Sequence, residues 1–186
     1  MKCVFVILMF VFTLCGCSHN IEPIDKAMDL RELVISSNGI SFESVITADY
    51  EDVIYTFQLD CMENTAGNLS FVVTDPVSIS GITGMISDDQ PSLTFDDQVL
   101  AFPPLADGQL SPVIAPYLFL KSLRSGYLSG CGKEGEGYCI YIDDSFQNNQ
   151  LHLQVFTDAD CIPLRAEITY RNLRILTVDI CNFTFL

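Results

Sequence analysis

Hydrophobic positions along this chain repeat at two different spacings, and the spacing changes where one structural element gives way to another. After Pro23, apolar side chains recur at intervals of three and four residues as far as residue 34. That spacing predicts a short amphipathic helix at the start of the folded region. Gly39 follows a polar stretch and can adopt positive φ, so we expect this first helix to end just before it.

Beyond the first helix, apolar and polar positions alternate, as they do in half-buried strands. The alternation is clearest in residues 53–61 and 164–171, and turn signals recur about every 8–12 residues. The final strand, residues 175–186, is apolar on both faces, and its alternation places Phe183 on the face opposite Leu176. These segments predict an antiparallel meander, because parallel strands would need a helix between successive strands.

One helical segment, residues 112–125, interrupts the run of strands. Ser111 is a favourable N-cap, Pro112 suits the first helical position, and Gly126 is a natural stop. Apolar side chains cover most of the circumference of this helix, so we expect it to be buried against the hollow face of the sheet. The whole pattern predicts an α+β fold with a single antiparallel sheet, an N-terminal helix and one buried helix.

The start of the chain has a pattern of its own. Lys2 precedes the apolar run Val4–Leu14, and the small residue Gly16 stands directly before Cys17. This arrangement is typical of a secretory signal peptide with a lipoprotein cleavage site. The apolar run is shorter than the roughly 20 residues of a transmembrane helix. The alternative is an ordinary signal peptide that is cut near the same point without lipidation.

This N-terminal pattern predicts how the chain is divided. We expect residues 1–16 to be removed as a signal peptide and residues 17–23 to form a lipidated tether. Residues 24–186 would then form a single domain. Two or more acyl chains on Cys17 make a durable anchor, so the predicted location is the extracytoplasmic face of a membrane.

Charge excludes several classes of partner. The chain carries 24 acidic and nine basic residues, a formal net charge of −15, and loss of Lys2 with the signal peptide makes it more negative. Such a surface repels nucleic-acid phosphates and anionic lipid headgroups, so we expect no nucleic-acid partner. The acidic residues cluster in pairs at turns but lack the spacing of an EF-hand loop, which favours solvated turns over a calcium site. We expect no metal and no cofactor.

Five cysteines follow Cys17 in the chain. Cys131 and Cys139 flank a glycine-rich turn and could form a disulfide across a hairpin, as in many exported proteins. Reduced thiols that pack as small hydrophobic side chains are an equal alternative. Zinc is disfavoured, because there is no Cys-x-x-Cys pair and His152 is the single histidine of residues 24–186.

Motifs of nucleophilic and metal-dependent hydrolases are absent from the sequence. His152 stands between Leu151 and Leu153, and the alternation places it on the polar face of its strand as an exposed histidine. We therefore expect a protein that is not an enzyme, and an extracellular hydrolase is the least favoured interpretation.

Specific stretches resemble the LolA/LolB/LppX-like half-barrel family of bacterial lipoproteins. An acidic turn and a proline lead into a strand in Asp160–Ile168, and the strand Leu176–Phe183 ends in Asn-Phe, like the closing hairpin of that family. Ile79–Ile82 before a strand and Leu110–Pro112 before the buried helix are also similar. The order of helices and strands is the order that such proteins have.

The resemblance implies a half-barrel, a curved sheet whose hollow face is covered by helices and holds acyl chains, lipidated partners or other hydrophobic ligands. On this basis the candidate groove residues are Phe57, Phe71, Val113, Tyr117, Leu118 and Leu120. An anchored monomer of this type would not act as a soluble shuttle. Two alternatives stay open: the same side chains form a dry core, or the protein is a non-catalytic sensor or interaction module that binds another envelope protein.

Overall fold

The computed structural model describes residues 23–50, 53–87, 92–95, 98–101, 105–106, 109–145, 150–170 and 173–186. Cys17 and the predicted signal peptide lie outside these residues. The two described helices are α1 (Pro23–Ser36) and α2 (Ala115–Ser125), and a 3-10 turn at Pro112–Ile114 leads into α2. Another 3-10 turn lies at Val77–Ile79. The predicted N-terminal helix is confirmed, and the helix predicted over 112–125 is present as a 3-10 turn followed by α2 from Ala115.

Thirteen strands are described in the chain. The strands are β1 (Gly39–Asp49), β2 (Ile54–Asn64), β3 (Leu69–Asp75), β4 (Thr83–Ile86), β5 (Ser92–Phe95), β6 (Gln98–Ala101), β7 (Leu105–Ala106), β8 (Gln109–Leu110), β9 (Tyr127–Glu134), β10 (Gly137–Asp143), β11 (Leu151–Thr157), β12 (Pro163–Tyr170) and β13 (Leu173–Phe185).

Eleven of these strands form one antiparallel sheet, in the order β6-β5-β4-β3-β2-β1-β13-β12-β11-β10-β9. The remaining strands, β7 and β8, pair with each other. The sheet is two meanders joined at its centre, where the first strand pairs with the last. The predicted α+β half-barrel with a single antiparallel sheet is therefore confirmed.

Both helices lie on the concave face of the sheet and bury apolar side chains there. Helix α1 buries Ala27, Leu30 and Val34, at three- and four-residue spacing. Helix α2 buries Phe119, whose ring meets the ring of Phe42 edge-on at 6.1 Å. The core lies between these helices and strands β9, β10, β13 and β1. Among the described residues, neither helix has the length and apolar character needed to cross a membrane.

A β-bulge in β13 changes the side to which its aromatic residues point. The pairing with β1 shifts between Ser41 and Glu43, and Asn182, with φ 53°, lies at the shift. An extra residue reverses the alternation of a strand, so Phe183 packs against the core on the same side as Leu176. The prediction that these two residues lie on opposite faces is wrong, because it assumed an uninterrupted two-residue period.

Candidate functional site

The six candidate groove residues separate into two groups in the structure. Phe71, Tyr117 and Leu120 are 2%, 6% and 0% exposed, so they belong to the packed core. The other candidates are half-buried and lie at the margin of the core. These half-buried residues are Phe57, Val113 and Leu118. Around Phe71, the concave face is therefore filled by packed side chains. Near Phe57, side chains on this face are accessible to a ligand.

The accessible end of the concave face lies where β1 ends and β2 begins, and we call it the open end. It consists of the aromatic side chains Tyr50, Tyr55 and Phe57. The ring centroids of Tyr50 and Tyr55 are 6.3 Å apart, and Tyr55 stacks on Phe57 at the same distance. Tyr55 is 47% exposed, whereas Leu59, which follows Phe57 on the same face of β2, is 0% exposed. The rings therefore lead from solvent into the core.

Exposed apolar surface continues beside the open end. Val53, two residues before Tyr55, is 46% exposed. Burial raises the pKa of the Tyr50 phenol above its ordinary value of 10.0, with a smaller contribution from Tyr55. A hydrophobic surface of this kind, continuous with a core, is a common feature of ligand-binding sites.

A buried ion pair fixes helix α2 over the sheet. The guanidinium of Arg124 donates two hydrogen bonds to the carboxylate of Glu63, at 2.6 and 2.5 Å. The Glu63 side chain is 1% exposed and that of Arg124 is 29% exposed. Bidentate arginine–carboxylate pairs combine strength with fixed geometry, so this contact locks the end of α2 to strand β2.

Arg31 of α1 caps the carboxyl end of the same helix. Its Nε donates to the carbonyl of Leu123 at 2.7 Å, and its Nη2 donates to the carbonyl of Gly126 at 2.7 Å. Burial lowers the pKa of the Arg31 guanidinium below its ordinary value. A cation at this position satisfies orphan carbonyls and complements the helix dipole. Arg31 therefore joins the two helices.

The outer face of the sheet carries a second apolar feature, which we call the outer groove. Its first row of residues runs across strands β1 to β5. Each residue of the row is paired with the next one on the neighbouring strand. The row is Ser41, Met62, Ser70, Met85 and Ser92. A second row lies beside it on β1 to β4. That row is Glu43, Asp60, Val72 and Thr83.

The composition of the outer groove favours apolar contacts. Met62, Val72 and Met85 are 55%, 39% and 52% exposed. The hydroxyls of Ser70 and Ser92 donate to the backbone carbonyls of the methionines opposite them, at 3.0 and 3.3 Å. The groove has a volume of about 760 Å³. The sequence pattern did not predict the groove, because these apolar residues stand at positions that the alternation assigns to the polar face. Two methionines at such positions were the available signal.

In the hairpin of β9 and β10, the strand register offsets the two cysteines for which the sequence suggests a possible disulfide. Cys131 pairs with Ile140 and Cys139 pairs with Gly132, so the two cysteines are offset by one residue. Neighbouring positions along a strand point to opposite faces, and both thiols are free. The alternative of reduced thiols fits the described hairpin. Burial raises the pKa of Cys131 to about 11.

His152 forms a hydrogen-bonded pair with Asp143 on the neighbouring strand. Its Nδ1 shares a hydrogen bond of 2.5 Å with Asp143 of the neighbouring strand, and its Nε2 lies 3.3 Å from the amide of Gln150. The histidine side chain is 43% exposed. Within the described residues, no cluster of three or more histidine, cysteine or acidic side chains could hold a metal ion.

No protein-family model and no curated protein matches the chain. Solved structures similar to it include a putative outer membrane lipoprotein-sorting protein domain from Vibrio parahaemolyticus (TM-score 0.49, 10% identity, covering 86% of this chain and 91% of that chain). A LolA superfamily protein from Nitrosomonas europaea has a TM-score of 0.44 at 9% identity and covers 86% and 93% of the two chains. LppX from Mycobacterium tuberculosis has a TM-score of 0.40 at 10% identity and covers 87% and 92%.

These comparisons concern the fold alone, since the identities lie far below the level at which function transfers. The names of these structures include the LolA superfamily and LppX, the family that the sequence resembles.

Proposed function

We propose that this chain is a non-catalytic binding protein, anchored at an extracytoplasmic membrane face through a lipid on Cys17. It binds an acyl chain, a lipid or another hydrophobic ligand at the open end of its half-barrel. The observation that carries the proposal is the row of rings Tyr50, Tyr55 and Phe57, which connects solvent to the core of the concave face. Exposed apolar surface is unfavourable in water and is stabilised when a ligand covers it.

The chemistry of the open end suits a molecule with an apolar chain and a polar head. Each methylene removed from water contributes about 0.8 kcal/mol, and stacked rings offer flat surfaces against which a chain can lie. The phenol of Tyr55 is at the exposed end, where it can contact a polar headgroup while its ring stays in apolar contact. The ligand would therefore lie with its tail toward Phe57.

The charge of the chain favours access to the site. The net charge of −15 keeps the domain away from anionic headgroups, so the open end stays accessible above the membrane.

Native mass spectrometry of the full-length protein, extracted in a mild detergent, tests the ligand. We expect a reproducible lipid adduct on the wild-type protein and its loss from a Tyr55→Ser variant. Met85→Ser is the matched control, because Met85 is 52% exposed but lies on the outer face. Retention of the adduct by Tyr55→Ser, or its absence from the wild-type protein, would overturn the proposal. Circular dichroism melts confirm that both variants fold.

The anchor is tested separately by a Cys17→Ala substitution. Without the cysteine there is no site for the lipid, so the protein should leave the membrane fraction when cells are fractionated. A variant that remains in the membrane fraction like the wild type would show that the anchor is wrong, whatever the result for the ligand.

A further inference from the structure

We infer that the outer groove is a second binding site, for a protein segment that presents apolar side chains flanked by lysine or arginine. The site is independent of the open end, because it lies on the opposite face of the sheet. The two helices pack on the concave face and leave this part of the outer face uncovered. The inference goes beyond the binding of a hydrophobic ligand and identifies an interaction surface.

The floor of the outer groove is built to contact apolar side chains. Met62 and Met85 rise on either side of Ser70, and the small serine leaves a depression between the two thioethers. The hydroxyl of Ser70 already donates a hydrogen bond to the carbonyl of Met62. An apolar group can therefore enter the depression without leaving this hydroxyl unbonded. Methionine side chains are flexible and polarisable, and they adapt to varied partners.

The size of the groove matches a short peptide segment or a few large side chains. Its volume of about 760 Å³ lies within the range of roughly 300–1,000 Å³ that ligand pockets have. Val72 continues the apolar floor beside the methionines and is 39% exposed. The three side chains line the same groove, unlike the isolated apolar residues that are common on protein surfaces.

Charge determines the kind of partner. Glu43 and Asp60 stand directly opposite each other on paired strands beside the apolar floor, and like charges in that position are destabilising. The amide of Asn182 donates to Glu43 at 2.8 Å but brings no positive charge. A lysine or arginine of a partner would relieve the repulsion. A second copy of this chain or an anionic lipid would instead add negative charge to it.

Fluorescence anisotropy with two synthetic peptides tests the site on the full-length protein in detergent micelles. One labelled peptide alternates leucine with lysine, and the other alternates leucine with glutamate. We expect the lysine peptide to bind, with an affinity that falls as salt increases, because exposed charges are screened. The leucine–glutamate peptide should bind at least about ten-fold more weakly. Equal binding of both peptides would overturn the inference.

Matched variants separate the groove from the general acidity of the chain. The double change Glu43→Gln with Asp60→Asn removes two charges at the groove, and we expect about ten-fold weaker binding. The change Glu134→Gln with Glu136→Gln removes two charges from the exposed β9–β10 hairpin tip and should leave binding unchanged. Equal losses in the two double variants would show adventitious binding of a cation to an acidic protein.

A further variant tests the apolar contribution of the floor. Met62→Ser with Met85→Ser removes both thioethers from exposed positions, so the fold should persist and the affinity for the lysine peptide should fall several-fold. Tyr55→Ser is the control here, and it should bind the peptide like the wild type. If the methionine variant binds as well as the wild type, the floor of the groove does not form the site.

Discussion

Breaking the buried ion pair of Glu63 and Arg124 should lower the stability of the protein by a measurable amount. Replacing Glu63 by glutamine keeps the shape of the side chain but removes the negative charge, and Arg124 loses its partner. Breaking a buried ion pair costs about 3–5 kcal/mol. Because the Arg124 side chain keeps 29% of its exposure, water can partly solvate it, so we expect the lower end, a loss of about 3 kcal/mol.

Urea unfolding followed by circular dichroism measures this loss, and a thermal melt should show a Tm lower by about 6–12 °C. The control is Arg165→Gln, which breaks the pair with Asp179, also 2.5 Å long but with side chains 49% and 40% exposed. Exposed pairs contribute about 0–1 kcal/mol. If Glu63→Gln costs no more than Arg165→Gln, the inference that this pair holds α2 in place is refuted.

Two further predictions concern packing and ionisation. Gly84→Ala would place a Cβ 2.3 Å from the ring of buried Phe71 and should lower the free energy of unfolding by about 1–3 kcal/mol. Gly132→Ala, with open space around its Cβ, should leave the free energy of unfolding unchanged. Equal effects of the two changes in urea unfolding would contradict the packing described. Burial raises the pKa of Cys61 from 9.0 to about 12, so the unfolded chain ionises first and stability is lost as pH rises above 9. Between pH 9 and 10 the wild type should lose about 1 kcal/mol more than Cys61→Ala; parallel pH profiles in urea titrations would refute this.

Much of the fold follows from local sequence patterns. The apolar circumference of residues 112–125, with Ser111 and Gly126 at its ends, specifies a buried helix irrespective of distant contacts. The alternation in residues 53–61 likewise determines which side chains of β2 face the core. These features depend on neighbours within one element, so a single sequence contains the information needed to predict them.

The features that the sequence did not reveal depend on pairing between distant strands. The bulge beside Asn182 reverses the faces of β13, and a regular alternation cannot show an extra residue. Glu63 looks like a polar strand end until the fold brings Arg124 to it, 61 residues later in the chain. The outer groove likewise exists because the register places Met62 and Met85 on either side of Ser70.

Photo-crosslinking tests the central claim, that a hydrophobic ligand binds at the open end, most directly. The full-length protein in detergent micelles is irradiated with a diazirine analogue of palmitic acid, and the labelled peptides are identified by mass spectrometry. The account predicts labelling of the segment from Val53 to Phe57, reduced by unlabelled palmitic acid and by Tyr55→Ser. Labelling concentrated at Met62 and Met85, or spread without competition over the chain, would contradict it.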